Sequence, residues 1–268
     1  GDDYIFVENY DGAITCPESL SVSLCDRHRG IGAYGLVLIE KSETADAKMR
    51  IFNRDGTFGA TGGNAVRCLG KYLYDSGTVK KDAMTVETPA GIVELKLYTS
   101  SGEVSFVTAN MGAADFSPAA VPVKTEKTRV VDMPYEIAGK TYDITCLSVG
   151  NPHCVVFVDR VDRVDIENIG PLFENAPIFP ERTNTEFVRA VNKNMLKMRV
   201  WERGNGETYA CGTGACAAAA AAVEIGLCRR NEPITVKVRG GDLTVTVTDN
   251  GILLTGDTVR TFGGTVRF

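Results

Sequence analysis

The residue best suited to chemistry is a cysteine that precedes an alanine-rich helix. The segment "ACGTGACAAAAAA" places Cys211 before a predicted helix at about 213–225, with Gly226 as its C-terminal cap. The first N–H groups of a helix lack intrahelical acceptors and the helix dipole is positive there, so a nearby thiol is pushed toward thiolate and a carboxylate can bind. We expect Cys211 to be a base near neutral pH; the alternative is a buried structural cysteine.

The same pattern occurs earlier in the chain without this cysteine. "MRIFNRDGTFGATGGNAVRC" begins at Met49, and "MRVWERGNGETYACGTGACA" begins 149 positions later. Gly62 therefore stands where Cys211 stands, ahead of a predicted helix at about 64–75. Glycine supplies neither acid nor base. Thr61 is too weakly acidic to replace the thiol, and Cys68 lies about 9 Å further along the helix.

Two helix N-termini of this kind suggest how an amino acid could bind. If they faced each other, their N–H groups would hold one carboxylate and leave the α-carbon exposed on both faces. Removing a proton from one face and returning it to the other is racemisation. A cysteine hydrolase that pairs Cys211 with His153 remains an alternative, because a thiolate and an imidazole can also perform acyl transfer.

The repeat extends over both halves of the chain. "GDDY" at the start aligns with "GNPH" at 150–153, and an apolar strand, an M-R-[IV]-aromatic strand, a glycine-rich turn and a helix follow in each half. Short hairpins come next. We predict an α+β fold with two pseudo-symmetric domains, each a curled, mostly antiparallel sheet around a central helix. The predicted domains are 1–120 and 150–268, joined by a linker and crossover strand at 121–149; the C-terminal strand could cross into the first domain.

Composition excludes several classes of protein. The 268 residues carry a net charge of -5 with scattered basic residues, which argues against nucleic-acid binding. No apolar run approaches the roughly 20 residues of a membrane span. The first residues lack the features of a signal peptide, so we expect a cytoplasmic protein. Eight cysteines without a C-x-x-C pair and two histidines predict reduced thiols and no metal site.

An ordered set of motifs resembles one known family. The blocks are "GDDYIFV", "DRHRGIGAYGLVLI", "RIFNRDG", "GGNAVRC", "GNPHCVVFV", "ERTNTEFV" and "ERGNGETYACGTGACA". They resemble, in order and over nearly the whole chain, diaminopimelate epimerase, which converts LL-diaminopimelate to the meso form for lysine and peptidoglycan synthesis. The resemblance implies two α/β domains with the active site in the cleft between them, a homodimer, and no pyridoxal phosphate or other cofactor.

The resemblance also implies a role for particular residues. Two cysteines would face opposite sides of the substrate α-carbon; Cys211 matches one, and the other falls on Gly62. His153 and Glu202 match polar residues beside the thiols. The positions that match contacts to the distal amino and carboxylate groups are Asn53, Asn151, Asn184 and Arg203, and those whose backbone N–H groups would hold the reacting carboxylate are Gly63, Asn64, Gly212 and Thr213.

Two further positions depart from the family pattern. An asparagine of the family falls on Asp2, at a position expected to contact substrate, and an aspartate falls on Tyr34. A carboxylate at residue 2 can only accept hydrogen bonds and sits poorly beside a substrate carboxylate. We therefore predict a diaminopimelate epimerase whose activity is impaired by Gly62. The alternatives are a one-base isomerase or eliminase, a racemase of another amino acid, or a non-catalytic amino-acid-binding protein.

Overall fold

The computed structural model describes residues 1–59 and 62–267, which form two compact units. The N-terminal unit comprises Asp2–Asn110 and the segment from Thr255 onward, and the C-terminal unit comprises Gly1 and Met111–Leu254. Residues 111–149, which include the predicted linker, therefore lie in the C-terminal unit. No helix in the described ranges is long and apolar enough to cross a membrane.

In the described residues up to Asn110, the N-terminal unit has seven strands in one sheet and two helices. Its sheet order is β1-β2-β3-β5-β6-β7, and β4 pairs with β3. The elements are β1 (Tyr4–Glu8), α1 (Pro17–Cys25), β2 (Gly35–Glu40), β3 (Ala47–Asn53), β4 (Phe58–Gly59), α2 (Gly63–Asp75), β5 (Ala83–Thr88), β6 (Gly91–Ser100) and β7 (Glu103–Asn110).

The C-terminal unit repeats this plan and adds two strands at one edge. Its elements are β8 (Met133–Ile137), β9 (Lys140–Ser148), β10 (Pro152–Phe157), a 3-10 turn (Val161–Arg163), α3 (Ile166–Glu174), β11 (Asn184–Asn192), β12 (Met195–Glu202), β13 (Gly206–Thr208), α4 (Gly212–Glu224), β14 (Pro233–Val238), β15 (Gly241–Thr248) and β16 (Gly251–Asp257). The sheet order is β8-β9-β10-β11-β12-β14-β15-β16, with β13 beside β12. Strand β16 leaves the unit after Leu254.

Strand register shows how closely the halves correspond. Tyr4 pairs with Gly35 in parallel, and His153 pairs with Asn184 in the same way, 149 positions later. Helices α2 and α4 both have 13 residues. This confirms the predicted α+β class with two repeated halves. Each helix begins one residue before its predicted start.

Parallel strand pairs were not predicted. β1 pairs in parallel with β2 and β3 with β5, and the second half repeats both pairings. Hairpins are visible in sequence because their turns are local, whereas strands that pair across an intervening segment leave no such signal.

Helix α4 is buried on all sides, which fixes the position of its N-terminus. The alanines Ala217–Ala222 are each at most 3% exposed, and strands β9–β12, β14 and β15 pack around the helix. A helix that is apolar all round is typical of a core position. Methyl side chains let the strands approach closely, so the residue before the helix is held by packed structure rather than by a loose loop.

Candidate active site

Cys211 caps the N-terminus of α4. Its backbone is extended, with φ of -140°, and its Sγ accepts a hydrogen bond from the backbone N–H of Gly214 at 3.3 Å. The hydroxyl oxygen of Thr213 lies 3.5 Å from Sγ. The residue is 8% exposed. The structure thus places the thiol beside the free N–H groups of the helix, as the sequence predicts.

The expected lowering of the thiol's pKa is wrong for this structure. Burial, followed by the carboxylates of Glu202 and Glu186, raises the pKa of Cys211 well above its ordinary value. The hydrogen bonds from Thr213 and Gly214 oppose this rise but do not overcome it. The sequence-based argument about the pKa considered only the helix terminus: Glu202 was expected beside the thiols but its charge was not included, and Glu186 was not identified. The resting form of Cys211 at neutral pH is therefore the thiol, which can donate a proton.

A chain of hydrogen bonds connects Cys211 to the interior of the C-terminal unit. Asn151 donates from Nδ2 to Thr213 Oγ1 at 3.3 Å, and its Oδ1 lies 2.9 Å from Nε2 of His153. The other ring nitrogen, Nδ1, lies 2.7 Å from Oε1 of Glu186. His153 therefore reaches the thiol through Asn151 and Thr213.

Glu186 and Gly214 were not identified from the sequence. Glu186 is a carboxylate within the apolar strand "NTEFV", a pattern that marks a buried polar residue needing a partner. A Cβ built on Gly214 would lie 2.8 Å from Glu186 Oε1 and 3.2 Å from the sulfur of Cys211. Only glycine therefore fits between the carboxylate and the thiol without displacing one of them.

The predicted clamp residues of the C-terminal unit hold the local backbone together. Asn184 donates from Nδ2 to the carbonyl of Pro152 at 2.7 Å, and its Oδ1 accepts from the N–H of Arg203 at 2.9 Å. The Arg203 guanidinium donates to the carbonyl of Glu181 at 3.1 Å.

Glu202 follows the same pattern. Its Oε1 accepts from the Thr208 hydroxyl at 2.6 Å. The carboxylate is thereby fixed at the turn that leads to Cys211, where it contributes to the raised pKa of that thiol.

In the N-terminal unit, the corresponding helix start carries no side chain. Gly62 is the N-cap of α2, with φ of -152°, and its carbonyl accepts from the N–H of Val66 at 2.8 Å. Asn64 donates from Nδ2 to Oδ2 of Asp2 at 2.6 Å. Burial raises the pKa of the Asp2 carboxyl, and the bond from Asn64 opposes that rise. Thr61 lies outside the described residues.

The Asp2–Asn64 bond is the counterpart of the Asn151–Thr213 bond in the other half, because each pair is offset by 149 positions. The Asp2 carboxylate accepts where the Asn151 amide donates. Asn53, the counterpart of Glu202, donates from Nδ2 to the Thr57 hydroxyl at 2.9 Å.

The space that a side chain at residue 62 would need is already filled. A Cβ built on Gly62 would collide with Cδ1 of Ile51 and lie 3.1 Å from Cβ of Ala65. The counterpart of Ile51 in the second half is Val200, whose side chain lacks that terminal methyl. The larger Ile51 thus occurs with Gly62, and the smaller Val200 occurs with Cys211.

A cavity of about 800 Å³ lies elsewhere on the C-terminal unit. Its lining includes Lys140, Asp143, Arg160, Asp165 and Phe187, and none of the predicted site residues. Its charges are of mixed sign. The predicted site residues therefore lie outside this cavity, and those of each unit are described by their own helix start.

Comparison with known proteins places the sequence among amino-acid epimerases. The family model "Diaminopimelate epimerase" matches residues 1–117 and 145–261. The diaminopimelate epimerase of Desulfovibrio desulfuricans is 45% identical over 98% of this chain and 94% of its own length, and that of Acetivibrio thermocellus is 46% identical over 99% and 95%.

Two solved structures are similar in fold. A probable proline racemase from Agrobacterium radiobacter K84 has a TM-score of 0.73 at 17% identity and covers 95% of this chain and 82% of its own. A hydroxyproline epimerase from Agrobacterium vitis has a TM-score of 0.70 at 17% identity, with coverage of 93% and 80%. At such low identity, the likeness concerns the two-domain fold alone.

Proposed function

The chain belongs to the diaminopimelate epimerase family, and we propose that it is an isomerase acting on LL- and meso-diaminopimelate with one thiol in place of two. The observation that carries this proposal is the pair of matching helix starts, of which one has Cys211 and the other Gly62. Loss of one general acid or base costs about 10² to 10⁴ in rate. Inversion at the α-carbon should therefore be strongly impaired.

Cys211 is the group we assign to proton transfer at the α-carbon. Its thiol form can return a proton to a carbanion. To remove a proton it must first ionise, which burial and the carboxylates of Glu202 and Glu186 oppose. A substrate ammonium group beside Glu202 would offset the charge of that carboxylate and lower the pKa of the thiol. Substrate binding would thus help to prepare the base.

The substrate carboxylate at the reacting centre would bind backbone N–H groups. Those of Gly212 and Thr213 open α4, and those of Gly63 and Asn64 open α2, so both sets have the free donors that anions bind at helix N-termini. Asp2 lies beside the second set through its bond to Asn64. Because its pKa is raised, the protonated form of Asp2 persists to higher pH and can donate a hydrogen bond to a carboxylate.

The distal end of the substrate would be held by amide and guanidinium groups. We assign this role to Asn53, Asn151, Asn184 and Arg203, the positions that match the family pattern. The hydrogen bonds of Asn184 to Pro152 and Arg203 support the assignment, because they fix the strand end on which the clamp depends. A distal clamp favours a long substrate with two charged ends over a small amino acid.

The experiment is proton NMR in D₂O with LL- and meso-diaminopimelate, following loss of the α-proton signal and the ratio of stereoisomers. We expect exchange of the α-proton with little inversion, since Cys211 works from one face. Rapid inversion would contradict the expectation that inversion needs a second thiol at residue 62. Absence of exchange with either isomer would contradict the assignment of Cys211.

A second candidate function is favoured by the packing of Ile51. Because its terminal methyl fills the space beside Gly62, the N-terminal unit is adapted to the glycine. Such adaptation suits a one-base isomerase or eliminase, a racemase of another amino acid, or a non-catalytic amino-acid-binding protein. Turnover of a compound other than diaminopimelate would favour the first two. Calorimetric binding without α-proton exchange would favour the third.

Oligomeric state and location complete the proposal. The family resemblance implies a homodimer, and we propose a cytoplasmic location. Light scattering on the purified chain tests the first, because a monomeric mass would contradict it. Fractionation of the source cells tests the second.

A further inference from the structure

A buried carboxylate at the end of α3 holds the turn that joins β12 to β13. The side chain of Glu174, the last residue of the helix, is 8% exposed. Its Oε1 accepts a hydrogen bond from the backbone N–H of Gly204 at 2.8 Å, and its Oε2 accepts from the indole N–H of Trp201 at 2.7 Å. Arg182 donates to Oε1 at 3.1 Å. One carboxylate thus joins three separate segments of the C-terminal unit.

All three partners of Glu174 are donors, so their contacts require an acceptor at both oxygens. A backbone N–H, an indole N–H and a guanidinium do not accept hydrogen bonds. An ionised carboxylate accepts at both oxygens, whereas the amide of glutamine has one accepting oxygen and an NH₂ group that would face a donor. The ion pair with Arg182 also offsets the cost of burying the charge. An amide at residue 174 would therefore lose at least one of these hydrogen bonds.

Packing of α3 on Trp201 places Glu174 beside the indole nitrogen. A Cβ built on Gly170 would collide with the indole ring, so the lack of a side chain there lets the ring lie against the helix. Glu174 lies four residues further along, on the same face of α3. The hydrogen bond between Glu174 and Trp201 is therefore fixed by the packing of the helix on the ring.

Arg203 lies between the two residues of the turn that Glu174 binds. Trp201 precedes Arg203 by two positions, and Gly204 follows it directly. The N–H of Arg203 itself donates to Oδ1 of Asn184 at 2.9 Å. The chain on both sides of Arg203 is thus held by one carboxylate, which fixes the point from which the guanidinium extends.

We propose that Glu174 is a positioning residue for the distal end of the substrate: its carboxylate holds the turn between β12 and β13, and that turn places Arg203 in the clamp. The proposal rests on the proposed function in assigning Arg203 to the distal end. Glu202 is held separately, by the Thr208 hydroxyl. Loss of Glu174 should therefore weaken substrate binding more than it slows proton transfer at Cys211.

The first half anchors its corresponding turn in a different way. Helices α1 and α3 both have nine residues and begin 149 positions apart, so Cys25 stands in the place of Glu174. In α1 the Ser21 hydroxyl donates to the carbonyl of Asn53 at 2.8 Å. That contact is neutral and holds a carbonyl group, whereas Glu174 is charged and holds N–H groups. Of these two equivalent helices, the one with the charged anchor belongs to the half with Cys211.

The first test uses Trp201 as a reporter of the turn. It is the only tryptophan of the chain, so its indole N–H gives a single resonance in ¹H–¹⁵N NMR spectra. In the wild type we expect this N–H to exchange with D₂O more slowly than that of free tryptophan. In Glu174→Gln the proton resonance should move upfield and exchange faster, because a neutral amide is a weaker acceptor than a carboxylate.

The second test measures binding and proton transfer separately. Calorimetric affinity for meso-diaminopimelate should fall in Glu174→Gln by on the order of three- to tenfold, the worth of one hydrogen bond. The rate of α-proton exchange at saturating substrate should stay at the wild-type value, which is the pattern of a lost binding interaction. A residue that only stabilised the fold would not divide the two quantities in this way.

Two control variants separate the turn from the ion pair. Glu224→Gln removes a matched carboxylate, the last residue of α4, which pairs with Arg129 at 2.8 Å. It should change neither the indole resonance nor the affinity. Arg182→Met removes the ion pair of Glu174 but leaves its bonds to the turn, so the indole resonance should remain as in the wild type.

Four results would overturn the proposal. One is a wild-type indole N–H that exchanges as fast as that of free tryptophan, which needs no variant and so decides the matter even if Glu174→Gln does not fold. The others are unchanged affinity in a folded Glu174→Gln protein, a slower exchange rate at saturation without loss of affinity, and an equal loss of affinity in Glu224→Gln. If the wild type binds no diaminopimelate, the proposed function fails, and the indole resonance alone decides whether Glu174 holds the turn.

Discussion

Helices α2 and α4 begin at equivalent places in two halves that share length, register and strand pairing. At α4 the side chain of Cys211 caps the helix by accepting from Gly214, whereas at α2 Gly62 offers no side chain. Both helices are nevertheless 13 residues long. The difference teaches that the repeat folds without the thiol, so the chemistry of this site can change while the framework stays.

Residues around the two helix starts differ in the same sense. Ile51 fills the space beside Gly62, while the shorter Val200 stands in its place in the half with Cys211. The buried His153–Glu186 pair likewise belongs only to the second half. At the start of α2 an apolar side chain therefore fills the space beside Gly62. At the start of α4 a chain of hydrogen bonds through His153, Asn151 and Thr213 ends on the sulfur of Cys211.

The largest expected effect comes from removing the thiol. Cys211→Ala should lower the rate of α-proton exchange by about 10² to 10⁴, because no other group is assigned to move the proton. The measurement is loss of the α-proton signal in D₂O. Cys16→Ala, at an exposed cysteine that precedes α1, is the control and should exchange at the wild-type rate. Equal rates of α-proton exchange in Cys211→Ala and Cys16→Ala would contradict the prediction. The start of α4 would then have no more catalytic role than the start of α2.

Restoring a thiol to the first half should give the next largest effect. Gly62→Cys combined with Ile51→Val recreates the Cys–Val arrangement of the second half and should raise the rate of inversion by about 10² or more. Gly62→Cys alone should gain less, because its Cβ collides with Cδ1 of Ile51. The ratio of LL- to meso-diaminopimelate over time measures both. Equal gains in the single and double variants would show that Ile51 does not restrict the site.

The smallest effect concerns the pH dependence of stability. The carboxyl of Asp2 has a pKa raised above its unfolded value near 3.9, so its neutral form favours the folded state. The contribution of Asp2 to the free energy of unfolding is fully present below the pKa of the unfolded chain, and it is lost as pH rises through the pKa of the folded protein. Asp2→Asn places an amide at residue 2, as at residue 151, and should remove this loss.

Thermal unfolding of both proteins between pH 4 and 7 checks the prediction. The melting temperature of the wild type should fall relative to that of Asp2→Asn as pH increases. A constant difference across this range would mean that Asp2 does not titrate with a raised pKa. Asp249→Asn is a suitable control, because the Asp249 side chain is 78% exposed and pairs with Arg230 rather than acting on Asp2.

The sequence by itself determined the repeat, the α+β class, the two helix starts and the contrast between Cys211 and Gly62. These features are local: turn residues, capping positions and periodic apolar residues carry them within a few positions of the chain. The parallel pairing of β1 with β2, the hydrogen-bond chain behind Cys211 and the direction of its pKa shift were decided by tertiary structure.

The physical reason is that each of these depends on which side chains folding packs against one another, and spacing in the sequence does not give that. Glu186 meets His153 only because two strands pair in parallel, and Glu202 raises the pKa of Cys211 only because both are packed at the start of α4. Ile51 blocks residue 62 for the same reason. Sequence could show which groups are available for chemistry, but burial and the charges brought near them decide what those groups do.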